Sequence, residues 1–370
     1  MKKNDIKVLA FLLVMGTLVV LYQKGIFRNF FQHQSQRDAF AVKLKKNNET
    51  LAAQWLQAGE KALQNPANIP SVYFEKGIFH EAHQAISLSF NTTPGRKIRI
   101  EVKNSGNRKI FADLFKQDST GLQILTEADT ANMVLEAESY LGEKYTVRLQ
   151  PQPGFTGFYE FTLSTAPLLY WPVHSGSASN IGSYWGADRD GGSRSHEGVD
   201  IFAKKGSPLV AAADGYVNRV EENNLGGKVI FLKPDQIPVW LYYAHLDSQL
   251  IEPGTKVKKG DIIGTVGNTG NARNTPAHLH FGIYTRSGAI NPLGYIQKET
   301  WPSKITGNNL SIKLKKLAIK NVNLYPIADL KVPHQILKKG DTIYVNAATG
   351  NFYRISTISG RSGYVLQKNI

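Results

Sequence analysis

The sequence predicts a mainly β, multidomain protein whose helical part lies near the N-terminus. A length of 370 residues with 42% hydrophobic content is enough for roughly two to four small domains. Short alternating runs of apolar and polar residues, separated by Gly, Pro and Asn turn signals, recur from residue 71 onward. Helix-forming composition occurs before them, at residues 37–64. We therefore expect an apolar N-terminal segment, a helical spacer and three consecutive β domains.

Residues 1–25 have the pattern of an export signal. Lysines at positions 2, 3 and 7 precede an apolar run at residues 8–22, and Lys24 follows it. No small-x-small cleavage site comes directly afterwards, so we expect a retained signal anchor, with the basic flank in the cytoplasm and the body exported. The run is short for a span of about 20 residues. Local bilayer thinning and cleavage further downstream therefore stay open as alternatives.

Residues 26–70 predict a helical spacer between the anchor and the body. Residues 37–64 combine helix-forming side chains with rough amphipathic spacing. Asn65 and Pro66 should end the helix. The expected role is to lift the body off the membrane.

Residues 71–168 predict a small accessory β-sandwich. Short alternating strands are expected at residues 97–102, 144–149 and 157–163. Turn signals at residues 91–95 and 151–154 are typical of such a sandwich. A fold alone does not supply a function, so a spacing role and carbohydrate binding are both open here.

Residues 169–300 hold a set of histidines and one aspartate that could bind a metal. His278 and His280 are two apart in a β-leaning run, so on a strand they share one face at a separation of roughly 6 to 7 Å. One of them can ligate while the other flanks a water. His196 and Asp200 would lie about 13 Å apart on a straight strand, so a turn must separate them, and Gly198 permits it. Three N/O ligands with one open position are what a catalytic zinc needs.

This segment resembles the M23 (lysostaphin-type) metallopeptidases, whose signature is His-x-x-x-Asp followed far downstream by His-x-His. Residues 206–217 look like the family's strand-turn-strand segment. Residues 254–270 look like its glycine-marked hairpin. A solitary His-x-His is a weak signal, but this ordered set is a strong one. The resemblance implies an antiparallel β peptidase domain over residues 169–300.

The resemblance also implies the roles of five residues. His196, Asp200 and His280 would hold Zn2+. His278 would be the base at the water, and His245, in the family's Tyr-x-His-Leu position, would orient that water and stabilise the oxyanion. The implied activity is that of a zinc metalloendopeptidase, with peptidoglycan peptide in the murein cross-links as its substrate.

Two positions beside the ligands invite comparison. Gly282 stands where many members of the family carry Glu, which implies the loss of a polar contact rather than of activity. Glu197 follows His196 as in the His-Glu-x-x-His helix motif of other zinc peptidases, but Gly198 disfavours a helix. We therefore expect Glu197 to be solvated or to contact a ligand residue rather than the metal.

Other functions remain open at this point. The chain could be a catalytically silent wall-binding regulator that activates another peptidoglycan hydrolase. It could also be a secreted peptidase that acts on proteins. The identity of any regulatory partner, and of the bond cleaved, does not follow from the residues.

Residues 301–370 resemble a bacterial SH3-like (SH3b) domain. The matching segments are residues 322–326, 336–345, 352–355 and 360–365. In that family the domain often contacts cell-wall peptide. The other expectation, on an equal footing, is a rigid brace packed on the peptidase.

Charge and cysteine content restrict the partners and metal sites that we expect. The net charge of +15 is spread over every region, which favours an anionic cell envelope and argues against nucleic acid as a partner. The absence of cysteine excludes disulfides and Cys metal sites. An uncontrolled wall hydrolase would endanger its own cell, so we also expect an accessory domain or the loop at residues 267–275 to restrict the groove.

Overall fold

A computed structural model describes residues 35–79, 85–105, 108–128, 133–174, 176, 180–297 and 315–370. These residues are mainly β, as the sequence predicts. The chain divides into two compact units, with the boundary between Leu56 and Gln57. The predicted anchor at residues 8–22 lies outside the described residues. Among the helices in the described ranges, none has the length and apolarity to cross a membrane.

Two helices precede the β-rich part: α1 (Gln36–Asn47) and α2 (Glu49–Gln64). The Ser35 hydroxyl accepts a hydrogen bond from the Asp38 amide at the start of α1. The Asn48 side chain accepts one from the Leu51 amide at the start of α2. Helix α2 ends directly before Asn65 and Pro66, where the sequence predicts the end of the helix.

The next strands form a sandwich of two sheets. They are β1 (Ala67–Asn68), β2 (Tyr73–Phe79), β3 (Ile86–Asn91), β4 (Arg96–Asn104), β5 (Ile110–Asp118), β6 (Gly121–Glu127), β7 (Val134–Ser139), β8 (Lys144–Pro151) and β9 (Gly157–Pro167). One sheet has the order β1-β3-β8-β5-β6, and the other contains β2-β9-β4-β7. Alternate residues of both sheets, including Leu88, Ile100 and Phe161, are buried in one shared core.

The middle of the chain forms a second antiparallel sheet system with a core of its own. Its segment contains β10 (Ile181–Ser183), β11 (Asp188–Arg189), β12 (Arg194–Ser195), β13 (Val199–Phe202), β14 (Pro208–Val210), β15 (Gly215–Asn223), β16 (Gly227–Pro234), β17 (Trp240–Gln249), β18 (Lys256–Val257), β19 (Ile262–Val266), β20 (His278–Thr285), β21 (Gly288–Ile290) and helix α3 (Leu293–Ile296). The main path of this sheet is β10-β13-β20-β17-β16-β15-β18. Strands β11 and β12 pair with each other as a separate hairpin.

Helix α3 joins this sheet to the sandwich. The Tyr295 hydroxyl donates to the Tyr140 carbonyl, and the Arg96 guanidinium donates to the Gln297 carbonyl at 2.5 Å. Gly95 is required at this contact, because a Cβ there would lie 2.3 Å from the Tyr295 ring. The antiparallel sheet of the middle segment and the sandwich are therefore hydrogen-bonded to each other.

The C-terminal strands extend the sandwich instead of forming an isolated sheet. They are β22 (Lys315–Leu317), β23 (Val322–Leu324), β24 (Gln335–Leu337), β25 (Thr342–Thr349), β26 (Phe352–Thr357) and β27 (Ser362–Leu366). Strand β25 pairs with β2, with Gly77 opposite Ala347. The result is an eight-stranded sheet shared by both parts, although Val345, Ile355 and Val365 keep a core of their own. The SH3-like interpretation of residues 301–370 stays a prediction.

Candidate active site

Strand β20 lies at the centre of the site, between β13 and β17. His280 is directly opposite Asp200 on β13 and Ala244 on β17. Leu279 and Phe281 are fully buried in the core, while His278 and His280 line a cleft on the other face. The two histidines share one face, as their spacing predicts.

Three side-chain atoms converge at the floor of the cleft. The distance from His196 Nε2 to Asp200 Oδ1 is 3.0 Å, from His280 Nδ1 to Asp200 Oδ1 is 3.0 Å, and between the two nitrogens is 2.9 Å. Ligand atoms about 2.0 to 2.1 Å from a tetrahedral zinc lie roughly 3.3 to 3.4 Å from one another. The triangle is thus only slightly smaller than the face that such an ion requires. These three residues could hold a metal ion, and imidazole nitrogen and carboxylate oxygen are among the ligands of zinc.

The bend that brings His196 to Asp200 has a specific steric cause. His196 lies outside the strands, and β13 begins only at Val199. A Cβ at Gly198 would lie 2.6 Å from His280 Cε1. Gly198 is therefore needed for the close approach of the backbone to the His280 ring, in addition to the turn that the sequence predicts.

Hydrogen bonds to neighbouring residues orient two of the three side chains of the triangle. His196 Nδ1 donates to the Tyr184 carbonyl at 2.8 Å, which leaves Nε2 as the acceptor. The second oxygen of Asp200 accepts from Arg189 at 2.7 Å. Burial by itself would raise the pKa of Asp200, but the adjacent rings of His196 and His280 hold it well below its usual range. The triangle is thus an anionic carboxylate with two imidazole nitrogens, which suits a cation.

The other two histidines present the same nitrogen to the cleft. His278 Nδ1 donates to the Pro276 carbonyl at 2.8 Å, and His245 Nδ1 donates to the Thr269 carbonyl at 2.9 Å. In neutral rings, Nε2 of each is then an unprotonated acceptor. His278 Nε2 is 4.0 Å from Asp200 Oδ1, and the His245 and His278 rings are 5.0 Å apart. The structure thus brings together all five residues that the sequence singled out.

His245 is kept neutral by its surroundings. Burial, together with the neighbouring His278 and His280, lowers the pKa of His245 to about 4. Burial also lowers the pKa of His280. At neutral pH the His245 ring can therefore accept a hydrogen bond from a water or orient it without carrying a charge.

The backbone of His245 is unusual. Its φ of 64° makes it the one residue other than glycine with positive φ in the part of the chain that the structure describes. Up to Ala244, β17 pairs with β20, and from Leu246 onward it pairs with β19. His245 lies at this change of partner, in a left-handed conformation that costs energy for a side chain of its size. Nothing in the linear pattern predicts this geometry.

The cleft has a volume of about 880 Å³ and extends beyond the histidines. Its wall on the sheet carries aromatic side chains from β16, β17 and β20, namely Phe231, Trp240, Tyr242 and Tyr284. Glu197 is exposed and accepts a weak hydrogen bond from the Tyr284 hydroxyl at 3.4 Å, so it is not part of the triangle. A partly apolar cleft of this size is large enough to bind a ligand.

Sequence reasoning missed four contacts around the site. They involve Arg189 on Asp200, and the backbone carbonyls of Tyr184, Thr269 and Pro276 on His196, His245 and His278, respectively. Three of them use backbone carbonyls, which every residue has, so no residue type could have signalled them. The sequence shows that residue 189 is basic, but it does not show that Arg189 contacts Asp200.

Comparison with known proteins identifies this segment. Residues 194–292 match the model of peptidase family M23. The chain is 39% identical over 114 residues to the L-Ala--D-Glu endopeptidase of Bacillus subtilis, covering 29% of this chain and 35% of that protein. It is 34% identical over 99 residues to the peptidoglycan DD-endopeptidase ShyC of Vibrio cholerae, covering 27% and 22%.

A third relative is named as an activator of a hydrolase and not as an endopeptidase. The chain is 33% identical over 138 residues to the murein hydrolase activator NlpD of Salmonella dublin, covering 36% of this chain and 33% of that protein. In all three cases the match spans about a third or less of the relative's length. What these proteins have in common with this chain is thus one domain: the chain contains a peptidase family M23 domain within residues 194–292.

Proposed function

We propose that this protein is a zinc-dependent endopeptidase that hydrolyses peptide bonds in peptidoglycan. The observation that carries the proposal is the convergence of His196, Asp200 and His280 within 3.0 Å of one another, beside two further histidines that present Nε2. The names of two relatives, a DD-endopeptidase of peptidoglycan and an L-Ala--D-Glu endopeptidase, support the substrate class.

In this proposal each residue has a distinct task. His196, Asp200 and His280 would hold the zinc, which when bound would polarise the scissile carbonyl and activate the attacking water. His278 accepts the proton of that water through Nε2, because its Nδ1 is already committed to the Pro276 carbonyl. His245 accepts a hydrogen bond from the water through Nε2 and so orients it, because the hydrogen on its Nδ1 is committed to the Thr269 carbonyl. Arg189 donates to the second Asp200 oxygen and so fixes the orientation of the carboxylate.

The proposal is tested by measuring zinc and turnover on the same sample. The purified full-length chain should contain one equivalent of zinc and release soluble fragments from purified sacculi. Mass analysis of the released muropeptides would show which peptide bond is cut. Release that is unaffected by a chelator, and equal in an Asp200→Ala variant, would refute a zinc endopeptidase.

The rival function is a catalytically silent regulator that binds the wall and activates another hydrolase. The relative named murein hydrolase activator favours this candidate, with 33% identity over 138 residues. Under the rival function, the pure protein releases nothing from sacculi but increases the rate of an added murein hydrolase. Digestion of a glycine-rich protein would instead support a peptidase with protein substrates.

We also propose that the body acts in the cell envelope, attached through residues 8–22. The proposal rests on the lysine-flanked apolar run and on the charge of +15, which suits anionic wall polymers and lipids. Fractionation should place the full-length chain with membranes, and a protease added from outside the cytoplasm should reach it. A soluble mature form that begins near residue 30 would refute the anchor but not export.

A further inference from the structure

The loop at residues 267–275 packs against the turn between β15 and β16 instead of standing free over the cleft. The Asn271 amide donates to the Leu225 carbonyl at 3.1 Å. The Lys228 amide donates to the Thr269 hydroxyl at 3.0 Å, and that hydroxyl donates to the Leu246 carbonyl at 2.9 Å. One threonine hydroxyl thus ties the loop to both β16 and β17.

The same threonine reaches His245 through its backbone. The Thr269 carbonyl accepts the hydrogen on His245 Nδ1 at 2.9 Å, and the Thr269 amide lies 3.4 Å from the His245 carbonyl. On its other side, the His245 amide donates to the Gly226 carbonyl at 2.7 Å. A residue in the left-handed region persists only when its surroundings hold it there. Here the two turns on either side of His245 do so.

Two glycines allow these turns to touch. A Cβ at Gly227 would lie 2.2 Å from the Thr269 hydroxyl, and a Cβ at Gly270 would lie 2.3 Å from the Gly227 amide nitrogen. Both glycines have positive φ. A bulkier residue at either position would push the Thr269 carbonyl away from the His245 ring.

From these contacts we infer that Thr269 is a positioning residue for His245. Its hydroxyl holds the loop between β16 and β17 so that its carbonyl keeps the hydrogen on Nδ1 and leaves Nε2 as the acceptor in the cleft. The loop at residues 267–275 is accordingly a brace for one histidine, not a lid. The kinetic part of this inference rests on the proposed peptidase function, whereas the tautomer of His245 does not.

The first test determines the tautomer of His245 in the wild-type protein. In protein with isotope-labelled histidine, the ¹⁵N resonances of the His245 ring, assigned through their loss in His245→Gln, report which nitrogen carries the hydrogen. The inference expects hydrogen on Nδ1 and a free Nε2. A ring protonated on Nε2 alone would overturn it, whatever the activity of the protein.

The second test compares two substitutions at one position. Thr269→Ser keeps the hydroxyl, whereas Thr269→Val keeps the shape and removes it. We expect Thr269→Val to mix the two His245 tautomers and to lower kcat on sacculi about 10- to 100-fold, which is less than the roughly 100-fold to 10,000-fold cost of losing an acid–base group altogether. Zinc content and KM should stay unchanged, and Thr269→Ser should stay within about threefold of the wild type.

Thr265→Val is the matched control, because the Thr265 hydroxyl accepts from the Ser248 amide at 3.1 Å and contacts no histidine of the site. It should leave both the tautomer and kcat unchanged. Equal losses in Thr269→Ser and Thr269→Val, or a wild-type tautomer in Thr269→Val, would overturn the inference. A wild-type protein without turnover would refute the peptidase function, while the ¹⁵N spectra would still decide the role of Thr269.

Discussion

Two buried polar clusters of this molecule differ in how their donors and acceptors match. In the sheet shared by the sandwich and the C-terminal strands, Arg354 donates twice to Glu75, at 2.9 and 3.0 Å. The hydroxyls of Tyr73 and Tyr159 donate to the same carboxylate at 2.9 and 2.7 Å. In the M23 domain, by contrast, one possible ligand atom each from His196, Asp200 and His280 lie within 4.8 Å of one another.

The difference teaches how to tell a structural cluster from a binding site. Burial by itself would lower the pKa of Arg354, but the charge of Glu75 raises it well above its usual range. Each carboxylate oxygen of Glu75 has donors, so that cluster is complete without any further group. The histidine–aspartate triangle has an excess of acceptors, and one cation would satisfy all of them.

The largest expected effect comes from removing a member of the triangle. Alanine at His196, Asp200 or His280 should abolish bound zinc and turnover together, because two remaining ligands cannot close a catalytic zinc site. Zinc should also raise the melting temperature of the wild type but not of these variants, since only the wild type binds it in the folded state. Metal analysis, calorimetry and sacculus digestion measure the three effects.

Glu197→Ala is a suitable control, because Glu197 is exposed and adjacent to His196 but outside the triangle. It should keep zinc. If His280→Ala retained stoichiometric zinc and wild-type turnover, the ligand assignment would be wrong.

The second-largest expected effect concerns the two histidines of the cleft that lie outside the triangle. Alanine at His245 or His278 should leave most of the zinc in place, because neither Nε2 belongs to the triangle. Turnover should fall about 100-fold to 10,000-fold, which is typical of a lost acid–base group. Loss of zinc in His278→Ala with retention in His280→Ala would exchange the roles of these two residues.

Disrupting the buried cluster around Glu75 should lower the stability of the fold and leave catalysis unchanged. Arg354→Met leaves the buried Glu75 without its charge partner, and we expect a loss of about 3 to 5 kcal/mol in the free energy of unfolding. Denaturant titration measures this loss, and the folded fraction should keep its zinc and kcat.

Lys76→Gln provides the partly exposed counterpart in the same strand. Lys76 Nζ lies 3.9 Å from a carboxylate oxygen of Glu160, and both side chains are partly exposed. Its loss should cost about 1 kcal/mol or less. Equal costs for Lys76→Gln and Arg354→Met would contradict the structural role of the buried cluster.

The smallest effect concerns the contact between the sandwich and the M23 domain. Arg96→Gln removes the charge from the hydrogen bond to the Gln297 carbonyl, a bond worth about 1.5 to 3 kcal/mol. If the sandwich restricts the groove, turnover on sacculi should rise a few-fold in this variant at equal zinc occupancy. An unchanged rate would mean that the sandwich only orients the M23 domain.

The sequence by itself determined the chemistry of the site. His278 and His280 face one side because side chains alternate along a strand, and this local rule needs no tertiary information. The His-x-x-x-Asp spacing and Gly198 likewise indicated a bend that the structure contains. The end of α2 before Pro66 follows from proline's missing amide hydrogen, which is also a local property.

Only the tertiary structure decided which backbone groups orient these residues. The positive φ of His245 arises where β17 changes partners, and the carbonyls of Tyr184 and Thr269 act through contacts between distant turns. The C-terminal strands join the sandwich through β2, more than 260 residues earlier, where Gly77 lies opposite Ala347. Pairings of this kind depend on which edges and turns meet after folding, and a carbonyl or a strand edge carries no residue-specific signal.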